Sequence, residues 1–255
     1  YKMNFYIKQG FVRANFNWLI NEKHTLNYGL NTVFYHLSPG TLTPFGEESL
    51  IIPKKLQTER GVESALYVGD NWHITDKLSL ELGLRYSLYS ALGERTYFKY
   101  FEGEPKGEAT IIDSVHVPGG KLVKPYHGPE FRISARYAFN NDISIKAGYN
   151  SMRQNIHMLS NTTAISPTDI WKLSDANIQP QSGWQAAAGL YANIFGGRAE
   201  LSAEGYYKEM DHYLDYKSGA VITMNEYIER DVVETNGRAY GAEIMIKKPL
   251  GKLNG

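Results

Sequence analysis

Strict alternation over residues 78–89 constrains this chain more than any other feature. Leu78, Leu80, Leu82, Leu84, Tyr86 and Leu88 fall on one side of an extended strand. Ser79, Glu81, Gly83, Arg85, Ser87 and Tyr89 fall on the other, because successive side chains of a strand point to opposite faces. Strands in soluble sandwiches usually run to about five or six residues. This pattern is far longer and recurs along the chain. Long strands, apolar on one side and charged on the other, are what a membrane β-barrel requires.

Nine segments carry the alternation: 6–20, 24–37, 59–74, 78–89, 128–139, 143–153, 183–195, 198–214 and 237–247. In the fifth, for example, Phe131, Ile133, Ala135, Tyr137 and Phe139 oppose Arg132, Ser134 and Arg136. In the third, Leu66, Val68, Trp72 and Ile74 share a side. The connections alternate as well. Asn21–Lys23, Thr75–Lys77, Asn140–Asp142, Gly196–Gly197 and Pro249–Lys252 are short and built from turn-forming residues. Between them lie long polar links near 38–58, 90–126, 154–182 and 215–236, which read as four structureless loops of a size rare in soluble domains. Short turns at one end and long loops at the other predict periplasmic turns and extracellular loops. Trp18, Trp72 and Phe139 stand on the apolar parity beside short turns. Phe34, Tyr86, Tyr149, Trp184 and Tyr207 stand on it towards the long loops, so two aromatic belts bracket an apolar band. The expected class is all-β, an antiparallel transmembrane β-barrel with about nine strands in this chain.

Composition narrows the function classes. Lysine plus arginine number 27 and aspartate plus glutamate 27, so no net field draws the chain to nucleic acid. No run of about 18 apolar residues offers a helical span, but barrel strands need only about 9–11. Without cysteine there is no disulfide framework and no thiolate metal site. The chain opens mid-pattern at Tyr1 rather than on a leader, which suggests a piece of a longer outer-membrane protein.

Several runs carry a family resemblance. They are Glu204-Gly-Tyr-Tyr-Lys-Glu-Met-Asp-His-Tyr-Leu-Asp-Tyr-Lys-Ser-Gly-Ala220, Asn236-Gly-Arg-Ala-Tyr-Gly-Ala-Glu-Ile-Met-Ile-Lys-Lys-Pro-Leu-Gly251, Ser166–Leu173 with Asn177–Trp184, and Leu66–Trp72 with Leu78–Tyr86. Together they resemble the barrel of TonB-dependent outer-membrane receptors over most of residues 60–255. The nearest likeness is to relatives of the SusC/RagA group that carry a carboxypeptidase-regulatory-like domain ahead of the plug. The resemblance implies a 22-stranded plugged barrel in the outer membrane of a Gram-negative bacterium. It also implies a plug domain in cis, the TonB system and surrounding lipid as partners, and import of a scarce or large nutrient such as a siderophore, cobalamin, glycan or peptide. A surface lipoprotein is a further partner to expect. This chain shows neither plug nor TonB box, so the expectation is a middle section of the barrel with strands missing on both sides.

Candidate chemistry is of three kinds. Glu81, Arg85, Arg132, Arg136, Lys146, Glu200, Glu204, Lys208 and Glu243 take the polar parity and are expected to face the lumen, where they contact a plug or pair with one another. Tyr97, Tyr100, Tyr126, His157 and Trp171 lie in the long links, where loops over a rigid scaffold usually hold binding groups. The histidines (His24, His36, His73, His116, His127, His157 and His212) lack zinc-site spacing and are expected to be exposed. No cofactor is expected. Asp211-His212 resembles an acid–histidine pair, but neighbours on a strand point apart, and no nucleophile–base set exists for an enzyme. Asn161-Thr-Thr163 fits a glycosylation acceptor and reads as a polar turn. Two rivals stand beside the receptor reading: a passive porin-like or structural barrel serving as a lipoprotein platform, and a soluble β-sandwich.

Overall fold

The computed structural model describes residues 1–160 and 169–248. The turn expected at 249–252, the Asn161–Thr163 triplet and the start of the run from Ser166 lie outside them. In chain order the strands are β1 (Lys2–Asn21), β2 (His24–Thr43), β3 (Lys54–Lys55), β4 (Glu59–His73), β5 (Leu78–Leu92), β6 (Arg95–Tyr100) and β7 (Ile111–Val117). They continue as β8 (Leu122–Ala138), β9 (Ile143–Gln154), β10 (Ile156–Leu159), β11 (Ile170–Leu173), β12 (Gln181–Ile194), β13 (Ala199–Tyr216) and β14 (Val232–Lys247). One antiparallel meander takes the order β1-β2-β4-β5-β8-β9-β12-β13-β14, with β3 added to β2. Two small hairpins, β6–β7 and β10–β11, stand apart from it.

The short turns close by one device. The Asn21 side-chain oxygen accepts the Lys23 and His24 amides at 2.8 and 3.0 Å. Asn140 accepts those of Asp142 and Ile143 at 2.9 and 2.8 Å. Thr75 does the same for Lys77 and Leu78. A side chain that mimics a backbone acceptor holds each reversal. At the fourth turn Gly196 and Gly197 take positive φ, which costs them nothing sterically.

Register carries the alternation across the sheet. Trp72 faces Leu80, Leu84 faces Phe131, Ile133 faces Tyr149, and Tyr207 faces Tyr240. One face is therefore apolar and open, with Leu66 66% and Leu190 52% exposed. Tyr149, Trp184, Tyr207 and Tyr240 form a ladder of rings across β9, β12, β13 and β14 at centroid spacings of 5.8, 5.6 and 6.4 Å. Near the short turns His24 stacks on Trp72, and Tyr137 meets Phe139 edge-on. About eight to ten residues separate the belts along a strand, roughly 20–25 Å of height at the usual rise and tilt. No described helix is long and apolar enough to cross a membrane.

Two expectations are corrected. The long links are not structureless. β6–β7 and β10–β11 fill two of them, and β2, β8, β13 and β14 extend into them, with β1 and β2 reaching 20 residues each. Second, Asp70 interrupts the apolar face between Leu26 and Leu82, where its carboxylate lies 2.7 Å from His24 Nδ1. Asp211-His212 sits on a bulge between Met210 and Tyr213, with His212 at φ 56 and its ring 3.0 Å from Glu234 as its partner. Simple alternation fails where a bulge redirects the strand.

The two faces predict opposite responses to one substitution. Ile133→Arg, on the apolar face, should cost roughly 2–4 kcal/mol of stability in lipid if it lies near the bilayer midplane. Ser134→Arg, one residue along, should cost far less. Urea unfolding of the full receptor from vesicles checks this. Equal costs would contradict the assignment of faces.

Candidate functional site

The face opposite the apolar one carries a cap. Tyr89 points into it from β5, lying across Gly61, where a Cβ would come 3.0 Å from the tyrosine hydroxyl. The hydroxyl donates to the Ser174 carbonyl at 2.7 Å, and Tyr126 donates to the Asp175 carbonyl at 2.7 Å. These bonds seat the segment after β11 against the sheet. Four charged side chains from three parts of the chain then meet beneath it. Lys172 Nζ donates to Glu59 Oε1 and Asp175 Oδ2, each at 2.6 Å. Arg95 Nη2 lies 2.7 Å from Asp175 Oδ2, and Nη1 3.5 Å from Glu59 Oε1. Glu59 also accepts the Leu173 amide at 2.8 Å, while Asp175 Oδ1 accepts those of Asn177 and Ile178. Lys172 is 2% and Asp175 3% exposed.

Two cations and two carboxylates make this quartet neutral, which is how buried charge becomes tolerable. Burial alone would raise the Asp175 pKa. Lys172 and Arg95 overcome it and hold the carboxyl well below the ordinary range. Burial alone would lower the Arg95 pKa, and Asp175 and Glu59 push it up instead. His157, on β10, bonds Ser174 Oγ at 2.9 Å. Burial first, and Lys172 second, bring its pKa down to about 4. The expected exposure of the histidines therefore fails at His157, which is buried.

The other long links interlock around this point. Lys106 donates to the Asn177 carbonyl at 2.6 Å, and Asn177 donates to that of Phe98 at 3.0 Å. Arg230 lies against Tyr227 and Phe98 at 4.4 and 5.2 Å and donates to the Tyr100 hydroxyl, which donates to Glu229. Lys54 donates to the Met224 carbonyl at 3.0 Å. Leu159, Ile178, Leu214, Ile228 and Val232 form a small apolar core beside these contacts.

Of the loop residues predicted as binding groups, Tyr100, Tyr126 and His157 hold the cap together. Tyr97 lines a cleft of about 320 Å³ with Arg95, Phe98, Asp175, Asn177 and Tyr227. Arg95 Nε and Nη1 are buried without a hydrogen-bond partner among the described residues, Nη1 lying 3.5 Å from Glu59 Oε1. Trp171 lies on β11 opposite Met158. No group of three or more metal-ligating side chains occurs among the described residues.

Register sets all nine predicted inward charges on the cap-bearing face. Arg85 lies 3.0 Å from Glu63 and 3.7 Å from Glu130, and Asn155 of the cap donates to the same Glu63. Arg85 and Arg132 line a depression of about 520 Å³ with Tyr67, Glu81, Glu130 and Arg153. Towards the short turns the charges segregate. Arg136 stands directly opposite Lys146, whose ammonium lies 4.5 Å from the Tyr191 ring. Glu204 stands opposite Glu243, and Glu200 opposite Lys247. Lys208 faces Gln185 and Ala239. Between the two sets lies a groove of about 400 Å³ lined by Arg136, Lys146, Glu200 and Glu204.

Sequence reasoning missed the quartet. Arg95, Lys172 and Asp175 lie in links without periodicity, and only the i, i+3 spacing of Lys172 and Asp175 hinted at a pair. Burial of the quartet makes it sensitive to both mutation and pH. Removing one charge, as in Lys172→Met, leaves an uncompensated carboxylate and should cost roughly 3–5 kcal/mol of cap stability, read as faster hydrogen exchange at residues 170–178. The pH response comes from His157. Its folded pKa lies below the ordinary 6.5, so the detached cap takes the proton more readily. The contribution is complete above pH 6.5 and is lost as pH falls towards 4. Exchange at the Leu173 amide, corrected for its intrinsic rate, should rise across that window in the wild type and not in His157→Gln. An unchanged profile in His157→Gln would contradict this role.

Comparison with known proteins agrees with the fold. Residues 2–251 match the family described as TonB dependent receptor-like, beta-barrel. No curated protein sequence matches the chain. Among solved structures, the FrpB iron transporter from Neisseria meningitidis superposes with a TM-score of 0.61 at 15% identity, over 96% of this chain and 33% of that one. The copper transporter OprC gives 0.59 at 13%, over 98% and 35%. The ferric-catecholate import receptor Fiu from K12 E. coli gives 0.52 at 14%, over 98% and 36%. The chain thus spans about a third of the length of the structures it matches. Their fold, and the family's, is that of receptors and transporters of the Gram-negative outer membrane. This chain belongs to the TonB-dependent receptor β-barrel family.

Proposed function

We propose that this chain forms wall and roof of a plugged outer-membrane receptor that imports a scarce or large nutrient with energy passed through TonB. The observation that carries the reading is a single sheet with one apolar face and one charged face, the latter roofed by interlocked loops. A passive pore needs an open mouth, whereas here a buried quartet ties the loops to the charged face of the sheet. β1 and β14 each pair on one side only, and unpaired edges in lipid cost several kcal/mol per group. Further strands adjoining both edges would complete the barrel, in keeping with 22 strands around a plug.

The segregated charges support a plug in cis. Like charges directly opposite one another are destabilising, and a partner of opposite sign on each side removes the penalty. Arg132, Arg136 and Lys146 fit an acidic plug surface, whereas Glu200, Glu204 and Glu243 fit a basic one. The SusC/RagA likeness, with its extra N-terminal domain and a surface lipoprotein over the cap, is the finer form of this proposal. The solved relatives are iron, copper and ferric-catecholate transporters, which makes metal chelates the first cargo to screen, ahead of cobalamin, glycans and peptides. The cleft with Arg95 and Tyr97 is where we expect first contact.

The test uses the full receptor as sole uptake route for a panel of labelled chelates and vitamins. Accumulation of the cargo should stop when TonB is deleted. It should fall about tenfold in Arg136→Glu/Lys146→Glu with surface levels unchanged. Uptake indifferent to TonB would instead identify a passive barrel.

A further inference from the structure

On β1, β2 and β4 a basic row follows the apolar face at the long-loop side. Lys8, His36 and Arg60 are direct cross-strand partners on β1, β2 and β4. They keep the parity of the apolar face, since the next such row is Gly10, Phe34 and Val62. One alternation step, about 6–7 Å, separates the cations from the exposed Phe34 ring. Val12, Leu30 and Leu66 are exposed further down the same face. Lys8 and Arg60 are exposed, and His36 is half-buried. Tyr6 braces the row, stacking on His36 at 5.8 Å with Lys8 Nζ 5.1 Å from its ring. Among the described residues no ion pair joins any of the three to an acid.

Lys8 and Arg60 flank His36 from the strands on either side, so an anion from outside the strands has a place here. The order along the face specifies which kind: exposed hydrocarbon contacts first, then cations one step above. A phosphorylated membrane lipid presents the matching order, acyl chains and then phosphate, and basic clusters at membrane surfaces attract such headgroups. We propose that Lys8, His36 and Arg60 form a docking row for the phosphates of a lipid in the leaflet on the long-loop side. The proposal rests on the membrane reading of the apolar face.

The full receptor, reconstituted in phosphatidylcholine nanodiscs doped with diphosphoryl lipid A, provides the test, with retained lipid counted by native mass spectrometry. Wild type should retain diphosphoryl lipid A in preference to its dephosphorylated form. Lys8→Gln/Arg60→Gln should reduce that preference about tenfold, and Lys8→Arg/Arg60→Lys should restore it. Equal retention by wild type and the glutamine variant, in barrels that keep their heat-modifiable gel mobility, overturns the proposal alone. A wild-type receptor that forms no such barrel overturns the membrane reading and the proposal with it.

Discussion

Inside a bilayer no water is present to satisfy a backbone amide or carbonyl, so every such group must pair within the protein. A meander of long antiparallel strands meets that demand, and its pleat forces side chains to alternate between lipid and interior. Everything else in this chain is arranged around that requirement. Asn21, Thr75 and Asn140 reverse the chain with a single side-chain acceptor each, which keeps the short-turn end compact. Aromatic rings mark both limits of the apolar band. Asp70, on the apolar face, sits near the short-turn limit and is partnered by His24, and Glu209, at the other limit, accepts from Trp184 and Tyr207, as polar groups beside hydrocarbon must be partnered.

On the other face the same sheet becomes a scaffold for charge. Near the long loops the charges are buried and neutralise one another, as in Glu59, Arg95, Lys172 and Asp175. Well-packed apolar groups would often hold a core as firmly as such a quartet. What the quartet adds is dependence on all its members: loss of one strands another buried charge. Near the short turns the charges sit in blocks of like sign, Arg136 against Lys146 and Glu204 against Glu243. Such like-charge pairs carry a penalty that the proposed plug would relieve.

The meander and its faces were legible because period-2 alternation is a local signal, and each strand states it independently. Leu78–Tyr89 alone gave the parity on which Glu81 and Arg85 share a face, and Arg132, Arg136 and Lys146 took theirs from their own strands. The cap was not legible. Arg95 and Lys172 meet Glu59 across long stretches of chain, and no spacing rule connects residues that only tertiary structure brings together. His157 looked like a loop histidine because its burial depends on the docking of β10–β11. The Tyr100 and Tyr126 hydroxyls tie the loops to one another and to the sheet, contacts that no local pattern announces. Asp70 makes the third segment less regular than the others, although its neighbours Val68 and Trp72 keep the pattern on either side.

The alternation of faces is the central claim, and spin labels report it directly. The segment contains no native cysteine, so single cysteines can be placed one at a time from Leu78 to Tyr89 in the full receptor in lipid. Oxygen collides with labels in hydrocarbon, and a water-soluble nickel chelate with labels facing the interior. The account predicts that oxygen accessibility peaks at Leu80, Leu82, Leu84 and Tyr86, and that nickel accessibility peaks out of phase at Glu81, Gly83 and Arg85. A profile without a two-residue period, or one with the phases exchanged, would contradict it.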